Sequence, residues 1–364
     1  MSCRYLKIED FCSTGSGGTP SRSKPEYYEG GDIPWIKSGD LKDSKIYEAN
    51  EYITAAGLEN SSAKIVEKDS ILIAMYGATV GRLAILGINA ATNQAICNIR
   101  PDTTIADMKY LYYFLKSKFS YFVENAVGGA QPNISQGLIK SLEVPLPSLD
   151  EQKRIADILD KAAGVCQKRE QAIKLADDFL RAKFLEMFGT PANNIHRFPK
   201  GTIRDLVDSV NYGTSAKASI DSGEYPILRM GNITYQGRWD FTDLKYLDLS
   251  VKEKDKYLVK EGDLLFNRTN SKELVGKTAV YEEDRPMAFA GYLIRVRPNS
   301  IGNNYYISGY LNSIHGKITL MNMCKSIVGM ANINAQELQN IEILIPPKHL
   351  QDEYEIIYKK IKKG

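Results

Sequence analysis

Short apolar runs, each closed by turn residues, alternate along the first 150 positions of the chain. Ile71 to Met75, Thr79 to Leu86 and Gln94 to Ile99 are apolar or β-branched and bounded by Gly, Asn and Pro, which predicts strands. Over Asp107 to Phe119 the period changes. Met108, Leu111, Tyr112 and Leu115 recur at helical spacing behind Asp107, which predicts a helix capped by that aspartate. Ser135 to Ser141 predicts a short helix feeding a strand from Leu142 to Leu146, where Pro147 removes the next backbone donor and stops it. Mixed elements of this kind predict an α+β fold.

The stretch from Asp150 to Phe188 is different in kind, with no proline and one glycine, Gly164. Its series Ile155, Leu159, Ala162, Cys166, Arg169, Ile173, Ala176, Leu180, Lys183, Met187 steps by four and three, a heptad seam broken by two cations. Ile158, Val165, Ala172 and Phe179 widen the apolar face. A helix this long would reach roughly 55–60 Å. Such a face needs a partner helix in water, so Ile155, Leu159, Ala162, Ile173, Leu180 and Met187 are the expected partner-helix seam. Leu350, Tyr354, Ile357, Tyr358 and Ile361 begin a similar pattern after Pro346-Pro347 and predict a short terminal helix lying antiparallel to the long one. It covers only part of the seam, so partner subunits, self-association or a longer natural chain are expected to cover the rest.

The chain also repeats itself. Asp10 and Gly18-Thr19 return as Asp205 and Gly213-Thr214; Ile33-Pro34-Trp35-Ile36 with Gly39-Asp40 returns as Tyr225-Pro226-Ile227-Leu228 with Gly231-Asn232. Ser70 to Ile73 leading into Val80-Gly81 is echoed by Asp263 to Phe266 leading into Val275-Gly276. Asn133 through Leu146-Pro147 and Gln152 matches Asn332 through Ile345-Pro346 and Gln351 without a gap. Four landmarks in one order predict two related domains, 1–148 and 189–348, with the spacer helix 149–188 between them and a truncated helix 349–364 at the end.

Composition narrows the function classes. With 43% apolar and 25% charged residues the 364-residue chain is a folded protein of two domains, and no apolar run approaches a membrane span, so a cytoplasmic protein without membrane contact is expected. The five cysteines have neither metal-ligand nor disulfide spacing. A net charge of +3 does not mark a nucleic-acid binder; residues 1–148 carry 15 basic and 16 acidic side chains, and 189–348 carry 20 and 17. If the chain holds DNA, either local surface patches do it or a partner supplies much of the phosphate contact.

Against this background the chain resembles the specificity subunits of type I restriction-modification systems. The resemblance lies in Gly17-Gly18-Thr19-Pro20-Ser21, Tyr27-Tyr28, Ile33-Pro34-Trp35-Ile36 with Gly39-Asp40, Pro145-Leu146-Pro147 with Glu151-Gln152, and Phe184-Leu185-Glu186-Met187-Phe188-Gly189. It implies two target recognition domains, each reading one half of a split double-stranded DNA target, set apart by antiparallel helices. It also implies docking to two methyltransferase subunits and to translocase-nuclease subunits. No cofactor is expected in this chain; S-adenosylmethionine, ATP and Mg belong to those partners. A protein-interaction scaffold without DNA contact is the alternative reading.

Several polar segments carry side chains suited to DNA. Thr19, Ser21, Arg22, Ser23 and Lys24, beside Trp35, combine hydroxyls with two cations, which suits phosphates and guanine edges. Arg82 follows a glycine turn that lacks the spacing of a phosphate loop, and Asn93 and Gln94 offer amides of the kind that pair with adenine. In the second repeat the expected counterparts are Ser215, Lys217, Arg229, Arg238 and the cluster Asn267, Arg268, Thr269, Asn270 and Lys272. Asn133 and Asn332 are expected to cap the short helices that follow them.

No catalytic constellation stands out. His196, His315 and His349 have no metal-site spacing, and the Asn-Pro-Pro-aromatic or Asp-Pro-Pro-aromatic string of an amino-methyltransferase is missing. The sequence therefore predicts a non-catalytic chain.

Overall fold

The structure, a computed structural model, describes residues 4–327 and 330–363. The chain forms two compact units, Met1–Lys168 and Arg169–Gly364. The long helix Leu149–Phe188 runs unbroken through the boundary, so its first half packs within unit 1 and its second half within unit 2.

Unit 1 opens and closes on one strand pair, Arg4–Lys7 antiparallel to Glu143–Leu146. Its main sheet has five strands, Cys12–Ser16, Ile96–Pro101, Ile71–Ala74, Leu83–Leu86 and Ser44–Ile46, in that spatial order. The central strand Ile71–Ala74 is buried at every position, which is why it reads as a continuous apolar run without alternation. A second sheet, ordered Glu51–Ile53, Ile33–Ile36, Ala90–Thr92 and Ile65–Val66, contains one parallel pairing, Trp35 with Ala91. The helix Met108–Ser117 covers the main sheet with Leu111 and Leu115, and Asp107 caps it by accepting from the Tyr110 N–H at 2.9 Å.

Unit 2 rebuilds the same frame. Lys200–Thr202 pairs with Glu342–Leu344, and its main sheet orders Val207–Tyr212, Leu293–Pro298, Leu264–Asn267 and Thr278–Val280. Its second sheet orders Lys245–Leu247, Tyr225–Leu228, Met287–Phe289 and Leu258–Val259, with the parallel pairing now Ile227 with Ala288. Strand register makes Trp35 and Ile227 counterparts, and likewise Glu51 and Lys245.

Two buried glutamines fasten these frames to the helices that leave them. Gln152 accepts from the Asp107 N–H at 2.9 Å and donates to the Ile105 and Pro147 carbonyls at 3.1 and 2.9 Å. Gln351 donates to Ile301 and Pro346, both at 2.9 Å, while its carbonyl oxygen is buried without a partner.

The structure corrects the repeat alignment at one point. The main-sheet edge strand of unit 2 contains a bulge at Asp208, between the pairings of Val207 and Ser209. The extra residue makes Gly17, not Gly18, the counterpart of Gly213. A Cβ on Gly17 would lie 1.9 Å from the Thr92 carbonyl oxygen, and one on Gly213 2.3 Å from that of Phe289, so both turns require glycine for the same close approach. The expected strand from Thr79 is also shorter. Gly77–Thr79 forms a 3-10 turn, Gly81 takes φ 81° against Phe119 and Phe122, and the strand begins at Leu83.

Burial along the long helix is not one continuous seam. Ile155 packs on the unit 1 core, while Leu180, Phe184 and Phe188 are buried in unit 2 with Met187 against them. Leu159, Ala162 and Ile173, between these ends, are exposed. The terminal helix Lys348–Lys363 runs antiparallel to the second half. Tyr354 meets the rings of Phe184 and Phe188 at 5.3 and 5.8 Å, and Lys362 reaches Asp177 at 3.6 Å. Among the described residues no helix is long and apolar enough to cross a membrane, and no cluster of His, Cys, Asp and Glu has the makings of a metal site.

Candidate nucleic-acid interface

In both units the candidate side chains collect where the glycine turn, the second sheet and the end of the central strand meet. In unit 1 the turn after Cys12–Ser16 crosses the start of the segment following Ala90–Thr92, and the Gly18 N–H donates to the Thr92 carbonyl at 2.9 Å. This brings together two segments that are 75 residues apart in sequence: the Thr19 hydroxyl donates to the Gln94 side-chain oxygen. Ser21 and Ser23 share a hydrogen bond at 2.8 Å, and Lys24 donates to the Tyr27 hydroxyl at 2.9 Å.

Arg22 is exposed yet engaged. Its guanidinium lies 4.4 Å from the Tyr28 ring centroid and 5.1 Å from that of Trp35, and it donates to Glu51 at 2.6 Å. Lys37 donates to the other oxygen of the same carboxylate. Lys37 and Arg22 together hold the Glu51 carboxyl below the usual carboxylate range, so the group stays ionised and partly neutralises both cations. Trp35 is withdrawn as a DNA contact: it is 1% exposed and donates its indole N–H to the Gly18 carbonyl at 3.1 Å, bracing the turn. Asn93 is half-buried with its side-chain oxygen unpartnered, whereas Gln94 and Arg82 are exposed.

Unit 2 presents the same corner with other side chains. Ser215 and Lys217 are exposed on the glycine turn. Arg229 is half-buried and donates to the carboxylate and the carbonyl of Asp243 at 2.8 and 2.9 Å. Arg238 is corrected to a structural role: it grips Asp177 of the long helix through Nη2 at 2.8 Å and Nε at 3.3 Å.

The cluster from Asn267 to Lys272 is not a free loop. Asn267 ends the central strand, is 0% exposed, and accepts from the Thr269 N–H at 3.3 Å, so it too leaves the set of DNA contacts. Thr269–Asn270 is a strand that pairs with Met330–Asn332, which pairs in turn with Lys325–Ile327. Arg268 packs its guanidinium 4.9 Å from the Tyr212 ring, leaving Thr269 and Asn270 half-buried and Lys272 exposed. In unit 1 this small sheet is reduced to single bridges of Asn133 with Tyr76 and with Val127. Asn133 and Asn332 are therefore ladder residues. The caps of the following helices are Ser135, accepting from Leu138 N–H, and Asn334, accepting from Gln336 and Glu337 N–H.

Three residues at these corners went unmarked in the sequence. Tyr76 in unit 1 and Tyr292 in unit 2 are about half exposed, and Lys245 lines a cleft of about 820 Å³ with Ser215, Ile227, Asn270, Leu274 and Tyr292. Tyr292 follows Gly291 in the turn between Met287–Phe289 and Leu293–Pro298, a position whose only signal was the turn itself.

A family model described as the type I restriction modification DNA specificity domain matches residues 4–175 and again 198–363. The type I restriction enzyme EcoR124I/EcoR124II specificity subunit of Escherichia coli is 33% identical over 150 residues, 40% of this chain and 37% of that protein. The EcoKI specificity subunit of Escherichia coli K12 is 24% identical over 345 residues, 88% of this chain and 73% of the relative. The chain thus spans well under half of the first relative's length and about three quarters of the second's. A crystal structure of a type I restriction-modification S subunit from M. genitalium superposes with a TM-score of 0.63 at 15% identity, covering 100% of this chain and 90% of that one, which establishes a shared fold. Both units carry the matched domain over nearly their whole length, so the chain belongs to the type I restriction modification DNA specificity domain family.

Proposed function

We propose that this chain is the sequence-reading subunit of a type I restriction-modification complex, with one half of a bipartite double-stranded DNA target held by each unit. The observation that supports this best is the repeated frame with unlike side chains at its reading corner. Where unit 1 has Thr19 and Gln94, unit 2 has Ser215 and Gly291 at the equivalent positions, as fits two domains that read different bases. Thr19, Ser21, Arg22, Ser23, Lys24, Arg82, Asn93 and Gln94 are the proposed contacts of unit 1. Ser215, Lys217, Arg229, Arg268, Thr269, Asn270 and Lys272 are those of unit 2.

In this reading the chain selects DNA and leaves methyl transfer and cleavage to partners. Two methyltransferase subunits dock on the helices, where Leu159, Ala162 and Ile173 offer apolar surface. Translocase-nuclease subunits join them, and S-adenosylmethionine, ATP and Mg act in those subunits. The complex works in the cytoplasm, where its DNA is.

The test is a footprint of the chain assembled with its methyltransferase partner. Two protected blocks separated by an unprotected gap are expected. Four residues inserted beside Gly164 lengthen a helix by about 6 Å and should change that gap or abolish binding. A single contiguous block, or an unchanged gap in the insertion variant, overturns the reading.

A further inference from the structure

We propose that the cleft of unit 2 is a receptor for a single unstacked nucleotide. This rests on the reading above, that unit 2 holds one half of a DNA target. The cleft measures about 820 Å³. That is the size of sites that enclose most of a small molecule, whereas reading a base edge within a groove needs protruding side chains and no hollow.

Its lining has the chemistry of a nucleotide's two parts. Ala218, Ile227, Ala290 and Leu274 make an apolar floor, and Tyr292, 55% exposed, offers a ring on which a base can stack. Ser215 and Asn270 add a hydroxyl and an amide for the base edge. No carboxylate lines the cleft, whereas Arg229, Lys245 and Lys277 all do. Lys277 donates to the Met230 carbonyl at 2.8 Å and Arg229 shares its charge with Asp243, so Lys245 is the cation of the lining best placed to meet a phosphate.

The counterpart position in unit 1 is filled. Where unit 2 has Ile227, which is buried but small, unit 1 has the much larger Trp35, buried and bonded to the Gly18 carbonyl. Glu51 stands in place of Lys245 and, unlike that cation, free among the described residues, is tied up by Arg22 and Lys37. Gln94, bonded to Thr19, stands where unit 2 has Gly291. Two domains with one frame have thus closed and opened the same place, which assigns the opening to what unit 2 recognises and not to the fold.

Duplexes carrying the footprinted target, with an abasic residue opposite each base of the unit 2 half-site in turn, test the proposal on the full chain. An extruded base is easier to withdraw when its partner is missing, so affinity should rise about tenfold or more at one position and stay level or fall elsewhere. Ile227→Trp and, at an exposed position that leaves the core intact, Tyr292→Ala should each remove that rise without changing affinity for the unit 1 half-site. No rise at any position, or a rise that survives both substitutions, overturns the DNA-borne nucleotide. Calorimetric titration with dAMP, dCMP, dGMP and dTMP separates the other source. Binding that Ile227→Trp abolishes, with no abasic effect, keeps the receptor and assigns it to free nucleotides; no binding in either arm overturns the receptor. A chain that holds no duplex even when assembled with its methyltransferase partner overturns the function proposed above, and the titration then decides the receptor alone.

Discussion

The two units share a skeleton down to individual hydrogen bonds and differ most at one corner. The glycine turns, the parallel strand pair and the buried glutamine recur. Trp35, Arg22 and Glu51 form a closed, ion-paired knot in unit 1, whereas Ile227 and Lys245 border an open cleft in unit 2. The contrast teaches that frame and corner surface are separable in this chain. The buried glutamines that bond the backbone repeat, whereas the side chains at the corner diverge, Trp35 and its backbone bond included.

The sharpest way to break this contrast is to empty the two counterpart positions. Trp35→Ala removes a large buried ring and its hydrogen bond and should destabilise unit 1 by about 3–5 kcal/mol. Ile227 is also buried, at 2% exposed, but it is a smaller side chain without a hydrogen bond and lines the cleft, so Ile227→Ala should cost unit 2 nearer about 2 kcal/mol. Hydrogen exchange resolved by unit would measure both, and equal losses would mean that the cleft is not a real difference between the units.

The glutamines should differ by less. Gln152→Ala leaves three backbone groups without their partner and Gln351→Ala two. The expected costs are about 2–3 and about 1–2 kcal/mol. A larger loss in unit 2, read from denaturant unfolding followed in each unit, would show that the unpaired Gln351 oxygen has another role.

A third difference is electrostatic. In unit 2 the Lys317 ammonium is buried without a hydrogen-bond partner, 4.8 Å from the Tyr235 ring; burial, with Arg181 and Lys277 nearby, pushes its pKa down to about 8. The unfolded chain, with an ordinary lysine, binds more protons than the folded one above that value. Stability attributable to Lys317 should therefore rise from pH 8 towards pH 10 and sit at its constant low level below pH 8. Lys317→Met should abolish the rise and stabilise the protein at pH 7 by about 1–3 kcal/mol. Parallel melting curves of variant and wild type at pH 7 and pH 9.5 would disprove the assignment.

The smallest effects concern phosphate contact. Lys272→Ala should lower the salt slope of DNA binding by about one without touching stability. Glu51→Gln releases Arg22 and Lys37 from their shared carboxylate and should raise the slope by a similar amount. Opposite signs from the two units would confirm that one corner is partly neutralised and the other is not; identical signs would refute it.

Much of this was written in the order of residues. Buried runs such as Ile71–Ala74, the Asp107 cap and the long helix follow from local period and capping chemistry, and the doubled landmarks betray the two units without any fold. The candidate site was legible only as residue types. The single residue added at Asp208 shifted the glycine alignment by one, because a bulge is defined by the strand opposite it. Phe184 and Phe188 stood outside the heptad series, and only packing against Tyr306 and Tyr354 shows that they, and not a continuous seam, anchor the second half of the helix. Tertiary structure alone decided that Thr19 meets Gln94, that Arg238 is held by Asp177 and that Asn267 is buried. Each depends on which strand edge or helix face a segment meets after folding, and periodicity along the chain carries no information about partners 60 or 75 residues away.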